Sequence, residues 1–323
     1  FFPSLGNEIF RIPFFVFLFG GIAFLNIRSV KNGVRLIELA ALGKLVPLVL
    51  LVVIGAGIVS TENWQWTVTP TIANTGAASL LLFYAFMGFE TPLSNGGEIK
   101  NARRTVPLGI FLGIGGVLVL YLAIQLLTQG VLGASIATHK DAPLAAVAGV
   151  LFGKTGITLI ILTTAISMLG ALGGEILSVP RILFAGARDG LLPKALARVH
   201  PHFFTPYMAV SVYASLGLLF AIFGAFRQLA IIASASSLLV YLGAVLATIK
   251  LRGTHPRSAE KTFRVPGGVI IPTLAACVIL WLLSNLTKPE LAGIAIFVFV
   301  FSVLYFVAKA VRKKPLPKME NRC

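Results

Sequence analysis

Acidic side chains are scarce in this chain: eleven Asp and Glu against 27 Lys and Arg among 323 residues, so that only 12% of positions are charged. Soluble domains carry about twice that share of charge. A soluble enzyme surface is therefore excluded, and a fully buried soluble core of this size is a poor alternative. Cysteine is nearly absent. Cys277 lies in an apolar run and Cys323 is the last residue, which gives neither a disulfide framework nor metal-ligand spacing. Histidine is limited to His139, His200, His202 and His255, all in polar stretches between apolar runs. No Ser–His–Asp order, metal spacing or phosphate loop stands out, and the "GIGG" at 113–116 lies inside an apolar run and reads as helix packing. We expect no enzyme activity, no catalytic residues, no cofactor and no metal. "VHPHF" offers two histidines two apart, but a surface loop explains them without an ion. Methionine is missing at position 1 and no signal peptide opens the chain, which leads us to expect a preceding N-terminal part.

What is present is apolar sequence. Hydrophobic residues make up 57% of the chain, and the mean hydropathy is +0.93. Several apolar runs approach or exceed the ~20 residues that cross a bilayer as helix. They are continuous, without the alternation of barrel strands. The expected fold is an all-α integral membrane protein. Nine spans are expected: Ile12–Ile27, Ala40–Ile58, Ala77–Leu93, Val106–Leu132, Ile157–Ala185, Tyr207–Phe226, Leu229–Ile249, Gly267–Leu286 and Leu291–Ala308. The first is short, and its start extends back past Arg11 if it is to span.

The basic residues explain the net charge of +16 as a topology signal. One alternate set of loops, with the tail, holds twenty Lys and Arg, and the other set holds five. Positive loops stay cytoplasmic, so the C-terminus is expected in the cytoplasm and the chain's start outside. An odd number of preceding spans would reconcile that start with the missing signal peptide. No nucleic-acid partner is expected. The tail "VRKKPLPK" suits either a solvated end or contact with anionic membrane lipid.

The segment "FYAFMGFETP", residues 83 to 92, carries the chemistry. Gly88, Glu90 and Pro92 interrupt an apolar span within five positions. Glycine permits unusual dihedrals, and proline lacks a donor and clashes with the preceding turn. Thr91, Ser94 and Asn95 offer local hydrogen bonds to freed backbone groups. Two readings fit: a helix break that lines a substrate cavity, or a proline kink near the membrane interface. Intramembrane charges are costly and usually face a cavity or a partner. Glu90 is one, unless it lies at headgroup level or is neutral. Lys44, in "AALGKLVPLVLL", either snorkels to the interface or is buried. Glu175, in "SMLGALGGEILSVPR", follows Gly170, Ala171, Gly173 and Gly174, which allow a neighbouring helix or a substrate to approach closely. Three such charges in separate spans point to an ion or proton pathway.

These residues also carry a resemblance. "FYAFMGFE…GGEIKNARRTVPLGI" resembles the sixth-helix signature of the amino acid–polyamine–organocation (APC) superfamily, with Ala102 where a proline usually follows Asn101. "NIRSVKNGVRLIELAALGKLVPL" is similar to its fourth and fifth helices, and "RILFAGARDGLLPKALARVHPHFFTPYMAV" to the loop between the eighth and ninth. "FRQLAIIASASSLLVYLGAVLATIKLR" is similar to the tenth helix, and "FRVPGG" to the opening of the eleventh. The likeness runs through nearly the whole chain, in order.

The resemblance implies an inverted-repeat transporter fold with broken helices, of which nine spans of twelve are present. It divides one membrane domain, 1–323, into the end of a first repeat (1–60), a second repeat (76–250), two additional helices (266–312) and a cytoplasmic tail (313–323). It implies secondary active transport of amino acids or related amines by proton-coupled symport, with exchange or a non-transporting role as alternatives, in the plasma (inner) membrane. The implied partners are a small-molecule substrate, protons and membrane lipid. The helix break is placed at Tyr84–Gly88, with Tyr84, Ala85, Phe86, Met87, Gly88 and Glu175 as substrate-binding residues. Carbonyls around Tyr84, Ala85 and Met87 receive the substrate ammonium. Tyr84 stands where the superfamily's arginine–agmatine exchangers have a gating Trp; a packed aromatic is the plain alternative. Lys44 and Glu90 match residues of proton coupling. Glu175 stands in place of an aromatic, a departure that favours a cationic group on the substrate or a proton carried by Glu175 itself.

Overall fold

A computed structural model describes residues 8–65, 69–94, 96, 99–223, 226–254 and 267–311, and every regular element among them is helical. Asn95, Gly97 and Glu98 of the interrupted segment, Arg257, Lys261 and Arg264, the start of "FRVPGG" and the tail beyond Val311 lie outside the described residues. Each of the nine expected spans meets a helix. Five helical stretches are long and apolar enough to cross a membrane: Glu8–Arg28, Gly33–Ile58, Ala102–Thr138, Pro143–Arg188 and Ile232–Arg252. Tyr207–Phe223, Ile270–Ser284 and Glu290–Val300 are shorter apolar helices, so the expected number of spans is supported in part. The protein is an all-α integral membrane protein.

The residues group into two compact units. The first holds α1 (Glu8–Arg28), α2 (Val30–Gly55), α4 (Thr91–Ser94), α5 (Ala102–Leu132), most of α6 (Pro143–Arg188) and α7 (Tyr207–Phe223). The second holds α3 (Ile72–Ala85), the last residues of α6, α8 (Phe226–Thr254), α9 (Ile270–Ser284) and α10 (Lys288–Val311). Helix α1 does begin before Arg11, at Glu8. Helix α6 is much longer than its expected span. It starts at Pro143 and bends at Gly153, whose φ of 61° and ψ of −146° are not helical. Glycine adopts such dihedrals without steric penalty.

In the first unit, α1 packs along α7 and against α2, and α2 packs against α5. Ile22, Ala23, Ile176, Val210 and Ala214 form one buried cluster of α1, α6 and α7. Leu51, Leu127, Val147, Ala148 and Ile160 form another, of α2, α5 and α6. Helix ends leave backbone carbonyls without intrahelical donors, and two loops supply donors here. Asn63 Nδ2 donates to Gly130 O (2.8 Å) and Trp64 Nε1 to Leu126 O (3.0 Å), tying the loop after α2 onto the end of α5. The buried Thr205 donates its hydroxyl to Ile27 O (2.6 Å), tying the loop before α7 onto the end of α1. In the second unit α8 packs with α3, α9 and α10, around Leu238, Ile279 and Leu282 and around Ala235, Leu286 and Ile294.

Candidate functional site

Helix α3 has 14 residues, roughly 21 Å at 1.5 Å per residue, which is short of a ~30 Å hydrocarbon core. It stops at Ala85, residues 86–90 form turns, and α4 resumes the helix at Thr91. The interruption is therefore a break inside the span, beginning two residues later than the Tyr84 start that the resemblance implied. Gly88 makes it: its φ is +99°, a region that side chains with a Cβ rarely enter. Nothing lies within 4 Å of where a Cβ would stand on Gly88, so the backbone angle, not crowding, requires glycine there. Pro92 lies within the first turn of α4, where a missing amide donor costs little.

The side chains around the break satisfy its own backbone. Glu90 Oε2 accepts a hydrogen bond from Gly88 N (3.1 Å). Thr91 Oγ1 donates to Gly88 O (2.8 Å), and the amides of Thr91 and Leu93 bond back to Gly88 O and Glu90 O. Glu90 thus holds the turn as well as bringing a charge into it, a role the sequence pattern did not separate from coupling. After the break, Asn101 takes a left-handed φ of 54° and its carbonyl accepts the amides of Arg104 and Thr105. Asparagine tolerates that region. Ala102 is the first residue of α5, the position that proline also suits, so its departure from the superfamily's motif is locally neutral.

The break opens on a cavity of about 280 Å³ in the first unit. Met87, Gly88 and Thr91 form one wall. Ala40, Ala41 and Lys44 of α2 form the second, and Ala171, Gly174 and Glu175 of α6 the third. The glycines of α6 divide their work. A methyl on Gly170 would collide with Ala40 Cβ, and one on Gly173 would come within 3.3 Å of Leu36 Cδ2. These two let α6 close on α2, while Gly174 and Ala171 leave space in the cavity. Glu175 Oε2 accepts a hydrogen bond from the Tyr213 hydroxyl of α7, at 3.4 Å.

The structure thus gathers Lys44, Met87, Gly88 and Glu175 around one cavity, with Glu90 joined to it through Gly88. Phe86 packs edge-on against Tyr121 of α5, with ring centroids 5.3 Å apart. Tyr84 and Ala85 are the last turn of α3, in the second unit. Sequence reasoning missed Tyr213. No sequence signal singled it out, since α7 also carries the hydroxyls of Tyr207, Ser211 and Ser215. His200, the other polar feature, uses Nδ1 to accept the amides of His202 (3.2 Å) and Phe203 (3.3 Å) and so builds its own loop.

A helical membrane protein with a span broken at a charged, glycine-centred turn, opening on a small cavity with one cation and one carboxylate, has the architecture of a solute permease. The chain belongs to the amino acid permease family, whose model matches residues 1–314, and the resemblance drawn from its motifs stands. It is 27% identical over 313 residues to the methylthioribose transporter of Bacillus subtilis (strain 168), covering 94% of this chain and 65% of that protein. It is 26% identical over 299 residues to the branched-chain amino acid permease BcaP of the same organism, covering 93% and 64%. It is 30% identical over 256 residues to that organism's serine/threonine exchanger SteT, covering 78% and 58%. The chain therefore spans less than two thirds of the length of each. The family and these relatives are permeases and transporters, not enzymes.

Proposed function

We propose that this chain forms the body of a secondary active transporter that carries amino acids or related amines across the plasma membrane, driven by proton symport. The observation that carries the reading is the shared cavity: a helix break, an intramembrane lysine and an intramembrane glutamate converge on one space large enough for a small solute. Irregular backbone at membrane depth is tolerated where it is buried in protein or lines a cavity. In transporters with broken helices, the ends of the half-helices receive the charged groups of the solute. Backbone groups at Met87 receive the substrate ammonium, Phe86 and Gly88 shape the break, and Glu175 faces the substrate from α6.

Lys44 and Glu90 are the coupling groups. A proton gained or lost at Lys44 changes the charge of one cavity wall, and Glu90 reports that change to the turn it holds. A solute then shifts the balance of gate states by its differential affinity for them. We read the chain as part of a single membrane domain of inverted repeats, with its C-terminus in the cytoplasm and its surface in contact with membrane lipid. Exchange is the second reading, favoured by the similarity to a serine/threonine exchanger.

The test is solute flux. The full-length protein encoded by the same gene is reconstituted in liposomes, and uptake of labelled amino acids is followed under an imposed pH gradient. Uptake that rises with the gradient supports symport. Uptake that needs a second amino acid inside the vesicle supports exchange. Binding without flux contradicts both.

A further inference from the structure

Arg181 is a cation that neither the cavity nor the loops account for. It lies inside α6, short of the helix end at Arg188, and is outside the cavity lining. A long basic side chain near the end of a span ordinarily snorkels outward to the interface. Arg181 turns the other way. Its Nη1 donates to Leu177 O, 2.5 Å away and one turn back toward the cavity wall. Cations held within a span pair with other charges or with backbone carbonyls, and the carbonyl taken here stands beside a defect.

The defect is Pro180. In a helix interior proline withholds the amide that pairs with the carbonyl four residues back, and its ring presses on that carbonyl. Here the carbonyl is that of Ile176. Ile176 and Pro180 are fully buried, and Ile176 packs in the cluster of Ile22, Ala23, Val210 and Ala214, so bulk water does not make up the loss. The turn from Ile176 to Arg181 is therefore a weak place in α6, and the guanidinium clasps it at Leu177 O. Ala171, Gly174 and Glu175, which form the α6 wall of the cavity, stand directly upstream. Their direction depends on how this turn is held.

We propose that Arg181 is a positioning residue: its guanidinium supplies the hydrogen bonding that α6 loses around Pro180, and so holds the Ala171–Glu175 wall in place against the cavity. This rests on the reading that the cavity is the substrate site, and it gives Arg181 no contact with the solute. Proline makes the joint compliant, and a charge-assisted bond to a carbonyl, stronger than a neutral one, limits how far it gives.

The probes are labelled L-leucine and L-serine, taken up by the full-length protein in liposomes, with thermal unfolding of each variant followed in detergent. Arg181→Met keeps the length and removes every donor. It is expected to raise the KM roughly three- to tenfold, the scale of one net hydrogen bond, with kcat per folded protein within about twofold. Arg181→Lys keeps a long donor and is expected to recover most of the loss. Pro180→Ala returns the missing amide. In that background Arg181→Met is expected to change the KM by less than about twofold, because residues acting on one defect are non-additive. An Arg181→Met effect of undiminished size in the Pro180→Ala background overturns the proposal. So does a loss of folded protein with the KM unchanged, which marks a role in stability alone. If wild type takes up neither solute, the transport reading fails for these probes, and the Tm values decide the inference by themselves. Arg181→Met is expected to lower the Tm in the wild-type background and not in the Pro180→Ala background, and equal losses in both overturn it.

Discussion

Replacing Gly88 by alanine probes the break without touching any side-chain contact. The φ of +99° is outside the regions that alanine prefers, and the space around a new Cβ is empty to 4 Å. The cost is therefore conformational alone. A non-glycine residue held in a sparsely populated region costs about 1–3 kcal/mol. Applied to the equilibrium between this broken form and a continuous or otherwise rearranged helix, that is roughly a 5- to 150-fold shift in population. Gly88→Ala should then lower uptake by the full-length protein in liposomes by a factor in that range. Expression and monodispersity in detergent should change much less, since no packing is lost. Gly88→Asn should recover part of the uptake, because asparagine enters positive φ more readily than alanine. Wild-type uptake in Gly88→Ala refutes the reasoning. So does an asparagine variant worse than the alanine one, which would show that space rather than backbone angle is limiting.

Three further outcomes are expected. Lys44→Ala should abolish uptake driven by a pH gradient while substrate binding persists; uptake that still follows the gradient removes Lys44 from coupling. Gly170→Ala should destabilise the α2–α6 contact by about 1–3 kcal/mol through overpacking against Ala40, seen as a lower Tm, and Ala40→Gly in the same chain should restore it. Asn63→Ala removes the donor to Gly130 O and should cost about 0.5–1.5 kcal/mol, again read as a lower Tm, with the KM unchanged because Asn63 is remote from the cavity lining.

The helices were legible because apolar runs of span length leave few alternatives: each of the nine meets a helix, and five helices are long and apolar enough to cross a membrane. Their ends were not. The length of α6 depends on a bend at Gly153 and on packing of Val147 and Ala148 against Leu51 and Leu127, and a hydropathy pattern does not encode such contacts. The break was legible from Gly88 and Pro92, which weaken a continuous helix, and from the costly charge of Glu90 beside them. Its start at Phe86 rather than Tyr84 follows from where the positive φ falls.

Lys44 and Glu175 could be named from their cost in an apolar run, but not their sharing of one cavity, which needs Gly170 and Gly173 to bring α6 against α2. Glu90 shows the limit most clearly. The sequence marks it as an expensive charge, and only the geometry shows that it spends one oxygen on the amide of Gly88. Tyr213 was invisible for the same reason, since its partner is 38 residues away.

The measurement that tests the central claim most directly is uptake of labelled amino acids by the full-length protein in liposomes, with and without an inward proton gradient, in wild type and in Lys44→Ala. The account predicts gradient-driven accumulation in wild type and none in Lys44→Ala. Binding of amino acids with no flux under any gradient would contradict it, and would leave a permease fold that recognises a solute without moving it.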